Sequence, residues 1–554
     1  MNALITITND FFTFLTNTLC KGTEKSLLAT IQLSLNTDPQ KQQFGDLSTN
    51  APLVLAKVLG KSPREIATEI SQNFTHPSIA KIEIAGPGFI NFFLTPETFA
   101  ELAQALATEQ ESFFKKVDSL EPTLSYSVEF VSANPTGPLH LGHGRGGIIG
   151  DTLARILRFR GHKVTTEFYI NDAGAQILKL GLSFKARCLQ QLGVDAPIPE
   201  EGYFGEYLVE LAKAYTKNKT VEDLQETPDI AFADYAKAQL LETLKKTLAH
   251  YGILFDVWFS EKSLHDSGAI EKALALLEKR GHLVERDGAL WFVSTAFGDD
   301  KDRVVRKANG ELTYLASDIA YLENKLERGF DKLVMVLGQD HHSYLTRLKA
   351  MMQALGHNPD NLDVILYQLV TIKESGEVMR LSKRKGRIVS LEDVIETVGP
   401  DVARFFYLNR KADAHLEFDI ELALKHTEEN PVFYLQYAFV RTKSILEKAS
   451  TIAGLENISV ADAQQLGESE RLLLKKIVSL NDVLASMSRT YQTHLLASYT
   501  IELAQEFHKY YAAHRVINQE DLATSRGRLL ATTLVRATLK TCLELLGLST
   551  PEKM

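Results

Sequence analysis

A β-rich run, SYSVEFVSA (residues 125–133), leads into a stretch with six glycines between Gly137 and Gly150. A helix-patterned run follows, GIIGDTLARILRFRG, in which Ile149, Leu153, Ile156 and Leu157 fall on one stripe and Gly161 marks the stop. A second β-rich run, HKVTTEFYIN, comes next. Strand, helix and strand in that order form a βαβ unit. Its two strands must lie parallel, because the crossover helix returns the chain to the same edge. A parallel α/β sheet is therefore expected, and the glycine stretch lies at its strand-to-helix turn.

That turn holds two histidines, His140 and His143, on one side of the first helical turn. A helix start carries free N–H groups and partial positive charge, which suit phosphate. Gly142 and Gly144 admit a flat ring or a phosphate close to the backbone. The dinucleotide fingerprint is a poor fit, since nine residues, 134–142, separate the strand end from the helical glycines. No G-x-x-x-x-G-K-[ST] P-loop occurs here. Two readings stay open on this stretch alone: a tight turn capped by histidines, or a nucleotide site.

The chain has 554 residues, enough for three or four domains at about 150 residues each. Residues 1–115 mix helical text with short strands around Gly86-Pro87-Gly88 and are expected to form an α+β domain. Residues 116–395 are expected to carry the Rossmann-like parallel sheet, with a helical, acidic insertion at about 180–285. The sheet pattern resumes in ALWFVS, DKLVMVL and LDVILYQLVTI. Residues 396–554 read as an all-α domain. No uncharged apolar run approaches the ~18 residues that span a bilayer. The N-terminus lacks a basic region before its apolar residues, so no signal peptide is expected. Cys20, Cys188 and Cys542 lie far apart, which predicts neither disulfides nor zinc and fits a reducing cytoplasm. The formal net charge of −9 excludes no partner, because nucleic-acid binding depends on local patches.

A second chemistry-bearing stretch is RLSKRKGR, residues 380–387, with cations at Arg380, Lys383, Arg384, Lys385 and Arg387. It follows a β-rich run, which puts it at the carboxyl edge of the sheet. A cationic loop there can neutralise charge developing on a phosphoryl group.

HLGH at 140–143 resembles the HIGH motif of class I aminoacyl-tRNA synthetases, and RLSKR at 380–384 resembles their KMSKS loop. The two stand in the family's order, about 240 residues apart. Arg380 replaces the usual first lysine and Leu381 the methionine, while Lys383 is kept. EFVSANPTGPLHLGH, TYLASDIAY, NPVFYLQYAFVR and LELLGLSTPEKM are similar to stretches of the arginyl-tRNA synthetase family over nearly the whole chain. FGDLSTNAPLVLAKVLGKSPREIA resembles that family's N-terminal domain, which contacts the tRNA elbow.

The resemblance implies ATP, with Mg²⁺, L-arginine and tRNA(Arg) as partners, a monomer, and no membrane contact. It implies His140, His143 and Lys383 as the catalytic groups. ATP would be met by His140, Gly142, His143, Asp340, His341, Ser382 and Lys383, and arginine by Glu129, Asn134, His140, Tyr314, Asp318 and Gln339. Tyr437, Tyr510, Tyr511 and Arg515 are the expected tRNA contacts, since single-stranded RNA is commonly read by stacking. Two alternatives remain at this level: a class I synthetase for another amino acid, and a non-catalytic tRNA-binding relative.

Overall fold

The computed structural model describes residues 3–19, 30–115, 122–339, 344–374, 377–379 and 390–554. The N-terminal part opens with α1 (Ala3–Phe14), β1 (Leu33–Leu35) and β2 (Leu47–Thr49). The helical text then divides into α2 (Ala51–Leu59) and α3 (Pro63–Asn73). Gly60 ends α2 in the left-handed conformation, φ 61°. Ser62 and Glu65 start α3 with a reciprocal capping box, and Pro63 occupies its first position. A hairpin of β3 (Ile79–Ala85) and β4 (Phe89–Leu94) precedes α4 (Pro96–Glu109). The strands form one antiparallel sheet in the order β1-β2-β4-β3. Its core is aromatic: Phe11 meets Phe74 and Phe92 edge-on at 5.2 and 5.6 Å between ring centres.

The central part contains β5 (Ser125–Phe130), α5 (Leu141–Phe159) and β6 (Lys163–Ile170), which is the expected βαβ unit. Four helices follow: α6 (Ala175–Gln191), α7 (Glu206–Thr216), α8 (Val221–Glu226) and α9 (Asp229–His250). They pack around a core of their own that includes Leu180, Phe184, Leu208 and Phe232. Next come β7 (Val257–Ser260), α10 (Glu261–Asp266) and α11 (Ala269–Lys279). β8 (Leu283–Arg286), β9 (Ala289–Phe292) and β10 (Arg303–Arg306) make a separate antiparallel sheet. After α12 (Tyr314–Glu327), β11 (Lys332–Gly338), α13 (Tyr344–Ala354) and β12 (Leu362–Tyr367), the main sheet is complete. It is wholly parallel in the order β12-β11-β5-β6-β7.

This order corrects the expectations in three places. β7 lies inside the presumed helical insertion, yet pairs with β6 as the sheet's edge strand. ALWF belongs to the small antiparallel sheet and not to the parallel one. LDVILYQLVTI contains two strands, β12 and then β13 (Val370–Glu374).

β13 pairs with β14 (Glu377–Met379) and, further on, with β15 (Leu416–Asp419). A strand therefore stands within the region read as all-α. Between them run α14 (Leu391–Val398) and α15 (Pro400–Leu408). α16 (Ile420–Ala423) leads into the C-terminal bundle: α17 (Pro431–Ala449), α18 (Glu468–Val478), α19 (Leu480–Thr490), α20 (His494–Ala513) and α21 (Leu522–Leu546). Buried Lys475 of α18 pairs with Asp46 at 2.9 Å and so ties the bundle to the N-terminal sheet.

The sheet's topology locates its ligand crevice. From β5 the chain proceeds to β6 and β7 on one side, and later fills β11 and β12 on the other. Strand order thus reverses between β5 and β11. Open parallel sheets bind ligands at that point, beyond the carboxyl ends of the strands. The HLGH turn follows β5 and Gln339 follows β11, so both lie at this crevice.

α5 is buried along most of its length, which accounts for its glycines. A Cβ on Gly150 would lie 2.2 Å from the Phe130 ring, one on Gly146 2.6 Å from Tyr367, and one on Gly144 2.5 Å from Leu391. Only bare backbone lets the helix sit this close to the sheet. Buried Arg145 fixes the other side: it donates to the carbonyls of Gln368, Lys411 and Ala414 at 2.9, 2.7 and 2.7 Å.

Candidate active site

The first turn of α5 is organised by its two histidines. His140 is the N-cap, and its Nδ1 accepts the Gly142 N–H at 3.1 Å. The His143 Nδ1 accepts the His140 N–H at 3.2 Å. The rings stack at 3.6 Å between centres, 24° apart. Burial, then the neighbouring His140, pushes the His143 imidazole down to about 3, so it is neutral at physiological pH. With each Nδ1 used as an acceptor, the neutral ring carries its proton on Nε2. This changes the expected picture of free helix-terminal amides, because the Gly142 and His143 N–H groups are already used within the turn. The bare backbone here is also required by the protein's own side chains. A Cβ on Gly142 would meet the His140 ring at 3.1 Å, and Gly144 faces Leu391 and Tyr407.

Between β5 and this turn the backbone is strained. Val131 and Ser132 have φ of 68° and 41°, and a β-branched residue rarely adopts such a value. The Ser132 hydroxyl pins the bend, donating to Glu129 at 2.9 Å and accepting the Tyr169 N–H at 3.1 Å. Asn134 follows it, exposed, with its amide donating to Gln176 at 3.0 Å.

Behind the bend lies a group of acids. Glu129 and Glu167 are direct partners on β5 and β6, both buried. Like charges so placed repel, and cations must offset them. Lys325, itself buried, pairs with Glu129 and lies 3.5 Å from Glu167. Arg328 pairs with Glu167, and the Tyr321 hydroxyl lies against both carboxylates. Burial pushes Glu167 up, but Lys325, Arg328 and Tyr321 outweigh it and hold the group below the usual carboxylate range. The Glu129 carboxylate is itself met by Lys325, Tyr321 and Ser132.

Asp318 and Glu261 are placed differently. Asp318 lies on α12, one turn beyond Tyr314, and is half-buried. Burial pushes it up to about 7; a hydrogen bond from Tyr344 offsets part of this, and the Glu261 charge adds to it. Glu261, the first residue of α10, is 4% exposed. Burial raises it as well, against hydrogen bonds from Ser317 and Tyr169. Two carboxylates from separate elements, held mainly by hydroxyls, thus lie close enough for one to act on the other. Glu261 was not anticipated from the sequence: FSEKSLHDS reads as a solvated helix start. Its burial follows from β7 joining the sheet, which carries residue 261 to the carboxyl edge beside Tyr169.

Tyr314 is 62% exposed at the start of α12, and Gln339 is exposed just past β11. Asp340, His341, Ser382 and Lys383 lie outside the described residues. Ser390 and Leu391, which come after them in the chain, are described. The Leu391 N–H donates to the Leu139 carbonyl at 2.8 Å, and Ser390 bridges to His140. The start of α14 therefore rests on the residues that open the histidine turn.

In the C-terminal bundle, Arg441 lies over the Tyr437 ring at 4.4 Å and the Tyr511 ring at 5.0 Å. His508 stacks on Tyr437 at 5.9 Å, 20° apart. Arg441 and His508 were not anticipated. Tyr437 is half-buried, Tyr511 is 39% exposed, and Arg515 is exposed with its Nε on the Ile517 carbonyl. Tyr510 corrects the expectation for it: it is buried and donates to Glu470 at 2.7 Å, leaving no open face for a base. Among the described residues no helix is long and apolar enough to cross a membrane. Among them, too, no group of three or more His, Cys, Asp or Glu side chains is placed to hold a metal ion.

Comparison with known proteins agrees with this geometry. Residues 104–405 match the class I (R) tRNA synthetase catalytic domain. Residues 14–94 match the arginyl tRNA synthetase N-terminal domain, and residues 435–554 the DALR anticodon binding domain. The arginine–tRNA ligase of Desulforamulus reducens is 44% identical over 524 residues, 93% of each chain. That of Anoxybacillus flavithermus is 43% identical over 522 residues, again 93% of each. The solved arginyl-tRNA synthetase of Thermus thermophilus shares the fold, with a TM-score of 0.74 at 20% identity over 99% of this chain and 100% of that one. The chain belongs to the arginyl-tRNA synthetase family.

Proposed function

We infer that this chain is an arginine–tRNA ligase that joins L-arginine to tRNA(Arg) at the expense of ATP. In the first step a carboxylate oxygen of arginine attacks the α-phosphorus of ATP. The bond to the bridging oxygen breaks and pyrophosphate leaves. In the second step a terminal ribose hydroxyl of the tRNA attacks the acyl carbon, AMP leaves, and the hydroxyl proton is lost to solvent or phosphate. Neither step needs a protein nucleophile. The protein supplies position and charge stabilisation.

The Nε2–H groups of His140 and His143 are aimed at the phosphates, and Lys383 supplies a cation from the second motif. Mg²⁺ arrives on the nucleotide, held by phosphate and water. Asn134 meets the α-amino and carboxylate end of arginine, and Asp318 with Glu261 receives the guanidinium. A planar guanidinium offers paired N–H donors that match carboxylates, which lysine cannot do. Glu129 acts through Ser132 by holding the bend on which Asn134 sits. Tyr437, Arg441 and Tyr511 present a stacked face to the anticodon, and the N-terminal domain meets the tRNA elbow.

The observation that carries the amino-acid assignment is the pair Asp318 and Glu261, two acids from separate elements of which the second acts on the first. The pH profile tests it. Guanidinium binds the ionised form of Asp318, whose free-enzyme pKa is about 7. kcat/KM for arginine is therefore expected to fall about tenfold per pH unit below that value and to level off above it. In Asp318→Asn that acid limb should vanish and KM for arginine should rise at every pH. An acid limb that persists unchanged in the variant would remove Asp318 from the site.

A further inference from the structure

Helix α15 carries two fully buried side chains three residues apart, Arg404 and Tyr407. The Arg404 guanidinium reaches three elements. Its Nε donates to the Leu546 carbonyl at 3.0 Å, on the last residue of α21. One terminal nitrogen donates to the Tyr251 carbonyl and the other to Asp151 on α5, each at 2.6 Å. Next to Leu546, a Cβ on Gly547 would lie 2.4 Å from Arg404, so the backbone there is bare and left-handed, φ 73°.

Two links run from here to the histidine turn. Tyr407 donates to the Leu141 carbonyl at 3.0 Å, in the first turn of α5. Tyr251 donates to the Leu391 carbonyl at 2.8 Å, and the Leu391 N–H donates to Leu139, the residue before His140. The C-terminal tail closes the other end of α15. The Ser549 N–H donates to Asp401 at 3.0 Å, and Gln436 of α17 donates to the same carboxylate at 2.8 Å. A cavity of about 410 Å³ lies at this junction, bordered by Arg155, Tyr251, Asp401, Arg404 and Ser549. The helix is thus gripped firmly at points but not packed on every side.

We propose that Arg404 is a positioning residue for the reaction: through α15 it makes the geometry of the histidine turn depend on how residues 546–549 of the C-terminal bundle are seated. This rests on reading His140 and His143 as the phosphate-binding groups. Displacement of that turn by about 1 Å is enough to cost on the order of 100-fold in rate. Contiguous hydrogen-bonded and packed contacts of this kind carry coupling between distant sites. Anticodon engagement by the bundle and adenylate chemistry at the sheet would then share one mechanical element.

The test uses the full-length enzyme. Arg404→Met removes the node. Arg404→Lys keeps a charge near Asp151 but cannot span three acceptors. Asp401→Asn combined with Ser549→Ala loosens the tail at a half-exposed position and keeps the node. Steady-state aminoacylation and thermal melting are measured for each. The double variant is expected to melt within ~2 °C of wild type and to lose about tenfold in kcat, with KM for arginine unchanged. Arg404→Lys should fall between wild type and Arg404→Met. Because the double variant leaves the core intact, it decides the matter even if Arg404→Met does not fold. A double variant with wild-type kcat would overturn the proposal, as would a loss appearing only as raised KM for arginine. Failure of the wild-type enzyme to charge arginine would instead strike at the functional assignment itself.

Discussion

Replacing Glu261 with glutamine is expected to raise KM for arginine on the order of 100-fold and to leave KM for ATP within about twofold. Glu261 is 4% exposed, so any charge it pairs with is largely withdrawn from water. Truncating one partner of a buried, hydrogen-bonded charge pair costs ~2–5 kcal/mol. At ~1.4 kcal/mol per tenfold, the middle of that range is a loss of about 100-fold or more. Glutamine keeps the shape and can still accept from Ser317 and Tyr169, whose hydroxyls hold the carboxylate. Only the charge is removed, and burial already works against that charge. Stability should therefore hold or rise slightly while arginine affinity collapses. The measurement is steady-state kinetics with each substrate varied in turn, beside a urea melt. Unchanged arginine KM would show that Glu261 faces structure alone and leave Asp318 without its partner.

His143→Ala is expected to lower kcat by about 10²–10³, with smaller effects on either KM. A preorganised donor aimed at charge that develops in the transition state is worth ~2.7–4 kcal/mol. Burial and the stacked His140 keep His143 neutral, so it acts as a fixed N–H donor and not as a proton carrier. The rate deficit in the variant should therefore be nearly constant between pH 6 and 9, which is well above the range near 3 where His143 titrates. Alanine also removes the acceptor for the His140 N–H, which costs ~1 kcal/mol of helix stability. His143→Asn separates the two effects. Its side-chain oxygen restores the cap, but its amide does not reach the Nε2 position. Melting temperature should recover in His143→Asn while kcat stays low. Recovery of both would mean that the histidine works only as a cap.

The βαβ unit was legible because Ile149, Leu153, Ile156 and Leu157 repeat at helical spacing between two β-rich runs, and all four are buried. The hairpin around Gly86-Pro87-Gly88 was legible for the same local reason. β7 was not, since VWFS is four residues long between two helices and its partner β6 lies about 90 residues earlier. Glu261 was hidden with it. Glu129 shows a different limit of the sequence. An acid in a β-rich run calls for a partner, and one exists, but it is Lys325, 196 residues away on α12. One sequence shows the need for a cation without showing whether the protein or the substrate supplies it. Tyr510 and Tyr511 are adjacent on α20, and helical rotation alone sends one inward to Glu470 and the other outward beneath Arg441. The histidine turn was legible as a helix start that carries two imidazoles on one side, and His140 is indeed its N-cap. The stacking of its rings and the use of both Nδ1 atoms as caps depend on packing against α14 and α15, which local text does not contain.

A charging panel tests the assignment of arginine–tRNA ligase activity most directly. Full-length enzyme is incubated with total tRNA, ATP and Mg²⁺, and with each labelled amino acid separately. Acid-precipitable label is expected with arginine alone, abolished by omitting ATP. Charging with a different amino acid, or no charging with arginine under these conditions, would contradict that assignment.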